Sequence, residues 1–239
     1  MTDRSRSLNT RWSMLDELQD RGAEDTWRWF IDRYRSYIRT CLHRLIRPGE
    51  QAEQAVDEFW SYLFASSVIA NADRNRRFRT YLAGTVRHFA FAWLRAHASD
   101  ATEAAVEAAS SEPDPSRRYE EQDMLLWTRQ VVQLALAELA KGSADQAQAL
   151  RWFYGLPASI DDDGGEPRPA SWIAAQLGLK TNAAHQLVFR ARNRLRACIE
   201  NELRETVLAR EDLDDERRLV YAVIAQENPG LEPEADERR

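Results

Sequence analysis

Apolar side chains recur every three to four residues through most of the chain, the spacing that lays a single stripe along one face of an α-helix. Between 25 and 46 the stripe is Trp27, Phe30, Ile31, Tyr34, Ile38, Cys41, Leu42 and Leu45, and Pro48 with Gly49 is expected to end the helix. A second helix is predicted from 52 to 65, with Ala52, Ala55, Val56, Phe59 and Leu63 inward and Glu53, Asp57 and Glu58 outward. A third, from 78 to 97, buries Phe78, Tyr81, Leu82, Thr85, Phe89 and Trp93 on this reading and leaves Arg79, Arg87 and Arg95 outside the stripe. These three helices form the expected first domain, 25–97, after an N-terminal segment at 1–24.

From 98 to 123 the chain turns to Ala, Ser, Glu and Asp with Pro113 and Pro115, too poor in large apolar groups for a core, and reads as an interdomain linker. Helical periodicity resumes at 124–140. Ser143 and Gln146 then have capping-box spacing before a helix through Tyr154. The segment LPASIDDDGGEPRPAS breaks all periodicity and must be a loop. Beyond it a short apolar segment, SWIAAQLG, turns at Gly178 into a longer helix from 181 to 204, which is the helix-turn-helix pattern. The inward stripe of that last helix is Ala184, Val188, Ala191, Leu195 and Ile199. Asn182, Gln186, Phe189, Arg190 and Asn193 face away, and Asn, Gln and Arg are the side chains able to make bidentate contacts with base edges. The second domain is thus 124–204, with the helix-turn-helix at 171–196. A C-terminal extension at 205–239 holds one more amphipathic helix, 213–226, and an acidic tail, PGLEPEADERR, expected to be disordered.

Composition narrows the setting. The 239 residues, 44% hydrophobic and 30% charged, suffice for one or two packed domains of ordinary size in an all-α fold without staples. Two cysteines, Cys41 and Cys198, suggest neither a disulfide framework nor a zinc site. Neither a membrane-spanning run nor the apolar core of a signal peptide is visible, so a cytoplasmic protein without membrane insertion is expected. A net charge of -6 argues against unaided electrostatic gripping of DNA. Arginine is nevertheless concentrated at 74–79 and 189–196, which suits a factor that touches DNA only when docked on a larger machine.

AVDEFWSYLF (55–64), RRFRTYLAGTVRHFAFAWLR (76–95) and SWIAAQLGLKTNAAHQLVFRARNRLR (171–196) resemble, in this order, segments of sigma factors of the sigma-70 type. The resemblance is to the compact extracytoplasmic-function group, which keeps only regions 2 and 4. It implies two helical domains joined by a flexible linker, core RNA polymerase and promoter DNA as partners, and no cofactor or metal. It places Glu53, Asp57, Glu58 and Trp60 near the surface that grips polymerase. Opening a duplex needs cationic groups for the separated strand and pockets for unstacked bases, and Arg74, Arg76, Arg77, Arg79, Arg87, His88 and an outward Phe91 supply both. In region 4 the expected DNA-contacting set is Asn182, His185, Gln186, Phe189, Arg190 and Arg192. Whether an anti-sigma or other regulatory protein partners the chain stays open.

Two other readings compete. A dimeric helix-turn-helix regulator explains 171–196 but leaves the first domain without a role. A polymerase-binding adaptor that does not read promoters uses the first domain only. An enzyme fits least, because His43, His88, His97 and His185 form no metal-ligand pair at helical spacing and there is no phosphate loop or nucleophile motif.

Overall fold

A computed structural model describes residues 17–18, 23–47, 49–66, 68–69, 72, 77–97, 115–205 and 210–232, with the side chains of 115–119 and 210–211 outside the description. Among these residues the regular elements are all α-helices, and none is long and apolar enough to cross a membrane. They divide into two units, one holding the residues up to Trp127 together with Glu205, and one holding Thr128–Arg204 and the described residues from 210 onward.

In the first unit, α1 (Glu24–Leu45), α2 (Gly49–Ala65) and α3 (Phe78–Ala96) pack on one another. Glu24 and Asp25 in the first turn of α1 and His43 and Arg44 in its last oppose the ends of the helix dipole. Gly49 opens α2 rather than ending α1, which stops at Leu45 with Ile46 extended; Pro48 lies outside the described residues. The core is aromatic: Phe30 lies 4.9 Å from Tyr34, Tyr34 lies 5.4 Å from Phe78, and Phe59 meets Phe89 edge-on at 5.0 Å between centroids. The inward residues of α2 are those expected, Ala52, Ala55, Val56, Phe59 and Leu63.

The buried face of α3 is rotated from the expected one. Leu82, Ala83, Val86, Ala90, Trp93 and Leu94 are buried with Phe78, whereas Tyr81, Thr85 and Phe89 are half-buried. The small side chains of Ala83 and Ala90 are buried, while the larger aromatics Tyr81 and Phe89 are only half-buried. The hydroxyl of Thr85 donates to the Tyr81 carbonyl instead of entering the core.

The fourth helix, α4 (Pro115–Gly142), begins nine residues before the predicted start, which corrects the linker reading for 115–123; residues 98–114 lie outside the described set. Proline is well suited to a first helical position, where its missing N–H costs nothing. Met124, Leu126 and Trp127 are buried in the first unit, with Trp127 stacked on Tyr34 at 6.3 Å and edge-on to Tyr37 at 5.7 Å. The predicted domain boundary at 124 therefore moves to 127–128.

The second unit comprises the rest of α4 with α5 (Ala144–Tyr154), α6 (Ala170–Leu177), α7 (Thr181–Arg204) and α8 (Arg210–Glu227). Ser143 caps α5 by accepting the Gln146 N–H at 3.4 Å, as its spacing predicts. Helix α5 ends at Gly155, whose φ of 64° and whose hydrogen bond from the Gly165 N–H to its carbonyl turn the 155–169 loop back on itself. A Cβ at 155 would stand 2.1 Å from the Gly165 oxygen, so only glycine fits. The loop is pinned further by Ile160, which is buried, and by Asp162, whose carboxylate accepts the Ala158 and Gly164 N–H groups.

Candidate nucleic-acid interface

Helix α6 closes at Gly178, which is left-handed (φ 65°) and donates to the Ala174 carbonyl; Leu179 donates to the same carbonyl at 2.8 Å. That tight turn delivers the chain to α7 with its N-terminal half unobstructed. Ala184, Val188, Ala191, Leu195 and Ile199 are buried as their spacing predicts. Asn182, His185, Gln186, Phe189, Arg190 and Asn193 are exposed, and His185, Gln186, Phe189 and Arg190 line a shallow depression. Phe189 is 54% exposed.

The outward stripe of α7 changes character halfway along. Arg196 and Glu200 continue the line of Asn182, Phe189 and Asn193, yet the C-terminal extension covers them. Helix α8 packs on α7, with the Arg217 guanidinium donating to both Glu200 oxygens, at 2.9 Å to Oε1 and 2.7 Å to Oε2. Arg196, 7% exposed, donates to the carbonyls of Leu231 and Glu232, and Leu231 is fully buried. The tail is thus ordered as far as Glu232, against the expectation of disorder from Pro229: Leu231 supplies the apolar anchor and Arg196 satisfies carbonyls that would otherwise be stranded. Residues 233–239 lie outside the described set.

Arg192 belongs to this covered half. Its guanidinium lies 5.4 Å from the Phe189 ring and donates to the Gly230 carbonyl at 3.3 Å, the carbonyl that also accepts from the Tyr154 hydroxyl at 3.0 Å. Arg192, expected among the DNA-contacting residues of α7, is half-buried and in this structure holds the C-terminal turn at Gly230.

In the first unit, Glu53 is exposed but engaged. It accepts from Arg39 and, at 2.9 Å, from His43, and these hydrogen bonds hold its carboxyl below the usual carboxylate range. Glu58 accepts from Trp93 Nε1 and Gln54 Nε2, each at 2.9 Å, and so ties α2 to α3. Trp60 is half-buried, edge-on to Phe30 and Phe59. Asp57 is the expected carboxylate that stands exposed and outside any ion pair among the described residues. Sequence reasoning missed Phe64, which is 47% exposed and 5.1 Å from Trp27. Its signal was its position: Glu53, Asp57, Trp60 and Phe64 follow one another at spacings of four, three and four, a single helical line.

Of the basic set on and before α3, Arg74 and Arg76 lie outside the described residues. Arg77 occupies the N-cap of α3 and is half-buried. Its helical phase is shared by exposed His88, half-buried Phe91 and exposed Arg95. Arg87, expected to face out, instead turns inward to Asp123 at 3.6 Å, its side chain 25% exposed. Arg79 is half-buried and lies within electrostatic reach of the same carboxylate. Burial raises the Asp123 carboxyl, with Arg87 and Arg79 opposing the shift. The expected outward Phe91 is likewise corrected to half-buried, because the rotated α3 stripe brings its side of the helix closer to the unit.

Among the described residues no group of His, Cys, Asp and Glu is disposed to hold a metal ion. Compared with known proteins, the chain matches no family model, no characterised protein and no solved structure.

Proposed function

We propose that the protein is a sigma-type transcription initiation factor, binding core RNA polymerase through the α2 edge and reading promoter DNA with α7. The reading is carried by α7: a helix-turn-helix second helix whose Asn182, Gln186 and Arg190 stand exposed in its N-terminal half while Arg196 and Glu200, further along the same outward line, are covered by the C-terminal extension. The sequence resemblance then supplies the partner. On the first unit, Asp57 and Phe64 offer an acidic and aromatic docking edge, and Arg77, His88, Phe91 and Arg95 offer a cationic and aromatic face for a separated strand. Transcription from a fragmented host genome with purified core polymerase, reading transcript 5' ends by sequencing, tests the proposal. Starts clustered behind a shared two-block motif are expected; binding to core without specific starts would overturn promoter reading.

The inward turn of Arg87 toward Asp123 favours one second reading. It leaves fewer cations for a separated strand, as in an adaptor that binds polymerase and leaves promoter reading to another factor. The same experiment separates the two.

A further inference from the structure

Two features of the second unit have no part in reading DNA: the 155–169 loop and the C-terminal end of α8. Together with α4 they enclose a cavity of about 200 Å³. Its wall includes Thr128 from α4, Tyr154 and Asp163 at and after the end of α5, and Ile224 and Glu227 from α8. Thr128 is 2% exposed, and its hydroxyl has no hydrogen-bond partner. It does not even take the preceding-turn carbonyl that a helical threonine often uses. Leaving such a group unpaired away from water is costly, and an occupant that pairs with it recovers that cost.

The charges around the cavity are unbalanced. Arg129 is already committed, donating to Glu227 at 2.7 Å and reaching the Ile160 carbonyl. Asp162 and Asp163 also lie within its electrostatic range. Arg151, on the other side of Gln133 and Pro157, donates to the oxygens of both. Two carboxylates, Asp163 and Glu227, therefore line the cavity against the single guanidinium of Arg129, whose N–H groups are occupied by protein acceptors, and the cavity has acceptors to spare but few donors. We propose that this cavity is a binding site for a small organic cation bearing a primary ammonium, with Thr128 Oγ1 and the Asp163 carboxylate as acceptors and the Tyr154 ring against the carbon chain. A polar wall with one aromatic face and an excess negative charge is suited to an ammonium and hostile to a carboxylate of the same size.

No residue of α7 lines the cavity, and its test needs neither polymerase nor DNA. Isothermal titration of the full chain with 1,4-diaminobutane is compared with 1,4-butanediol and succinate, its neutral and anionic counterparts. The diamine is expected to bind one to one while the other two do not. Thr128→Val and Asp163→Asn should each weaken binding by at least about tenfold, whereas Thr128→Ser, which keeps the hydroxyl, and Gln186→Ala, on the DNA face, should leave it unchanged. The proposal is overturned if the diamine gives no isotherm, if the diol or succinate binds as well, or if Thr128→Val binds like the parent.

Discussion

Leu231 and Arg196 hold the end of the C-terminal extension against α7, and removing either should release the same short segment. Burial of a leucine side chain contributes about 1.5–3 kcal/mol, and Leu231 has no exposed surface. The guanidinium of Arg196 donates to the carbonyls of Leu231 and Glu232. Hydrogen bonds to a charged group are worth about 1.5–3 kcal/mol, and the freed carbonyls would regain water, so the lower end applies. Leu231→Ala and Arg196→Ala should therefore each cost local docking about 2 kcal/mol, or roughly 30-fold in the opening equilibrium. The double variant should cost little more than either single one, because a segment that is already released has nothing further to lose. Amide hydrogen exchange read by mass spectrometry reports this directly: the Leu231 N–H bonds the Asn228 carbonyl at 3.1 Å, and the Asn228 N–H bonds Ile224 at 2.7 Å. Protection at these two amides should fall while that of Ala184, at the start of α7, holds. The reasoning is refuted if protection is unchanged, if the two substitutions add in full, or if loss spreads evenly through the second unit.

Other outcomes follow from the same geometry. Gln186→Ala and Arg190→Ala should each reduce discrimination among upstream promoter elements by about 1–3 kcal/mol if their contacts are bidentate, measured by competition binding of the polymerase complex; equal loss on every sequence would point to phosphate contacts instead. Asp57→Lys combined with Phe64→Ser should abolish co-purification with core polymerase while leaving the helical circular dichroism unchanged, and retained binding would remove the α2 edge from the docking surface. Asp123→Asn should raise thermal stability at neutral pH. Burial raises the folded-state pKa of Asp123, so its ionised form opposes folding above that pKa, and the penalty disappears below the unfolded value of about 3.9. Melting curves of the two proteins should therefore converge near pH 3.5, and a variant less stable at pH 7 would show that the Arg87 pairing outweighs desolvation.

The all-α class and the limits of α7 were legible because α7 carries its own instructions. Gly178 marks its start, and Ala184, Val188, Ala191, Leu195 and Ile199 fix its phase, so the exposed Asn182, Gln186 and Arg190 follow by subtraction. The phase of α3 was not legible in the same way. Its aromatics are spread around the helix, and small buried residues such as Ala83 and Ala90 carry little weight in an apolar stripe. The orientation of Arg87 was hidden because its partner, Asp123, sits on a helix whose start the composition of 98–123 concealed. Leu231 was hidden for a similar reason: one apolar residue among prolines and acids has no periodicity, and only the buried Arg196 beside it reveals its role. The face of α2 was half legible, since spacing alone aligns Phe64 with Asp57 but does not tell that Glu53 and Glu58 are already held by Arg39, His43 and Trp93.

Helix α7 also separates two kinds of mutational constraint along a single element. Substitutions at Ala191, Leu195 or Ile199 strike the packed interior, where losing a few methylenes costs several kcal/mol. Substitutions at Asn182, Gln186, Phe189 or Arg190 touch residues exposed on the same helix and should leave stability within about 0.5 kcal/mol. On the DNA-reading function proposed above, a lineage carrying this chain drifts through different base preferences without passing through unfolded intermediates, keeping its scaffold fixed while its target sites change. Duplicated copies would diverge first at those exposed positions, and the covered end of α7 would be the last part of the helix to vary.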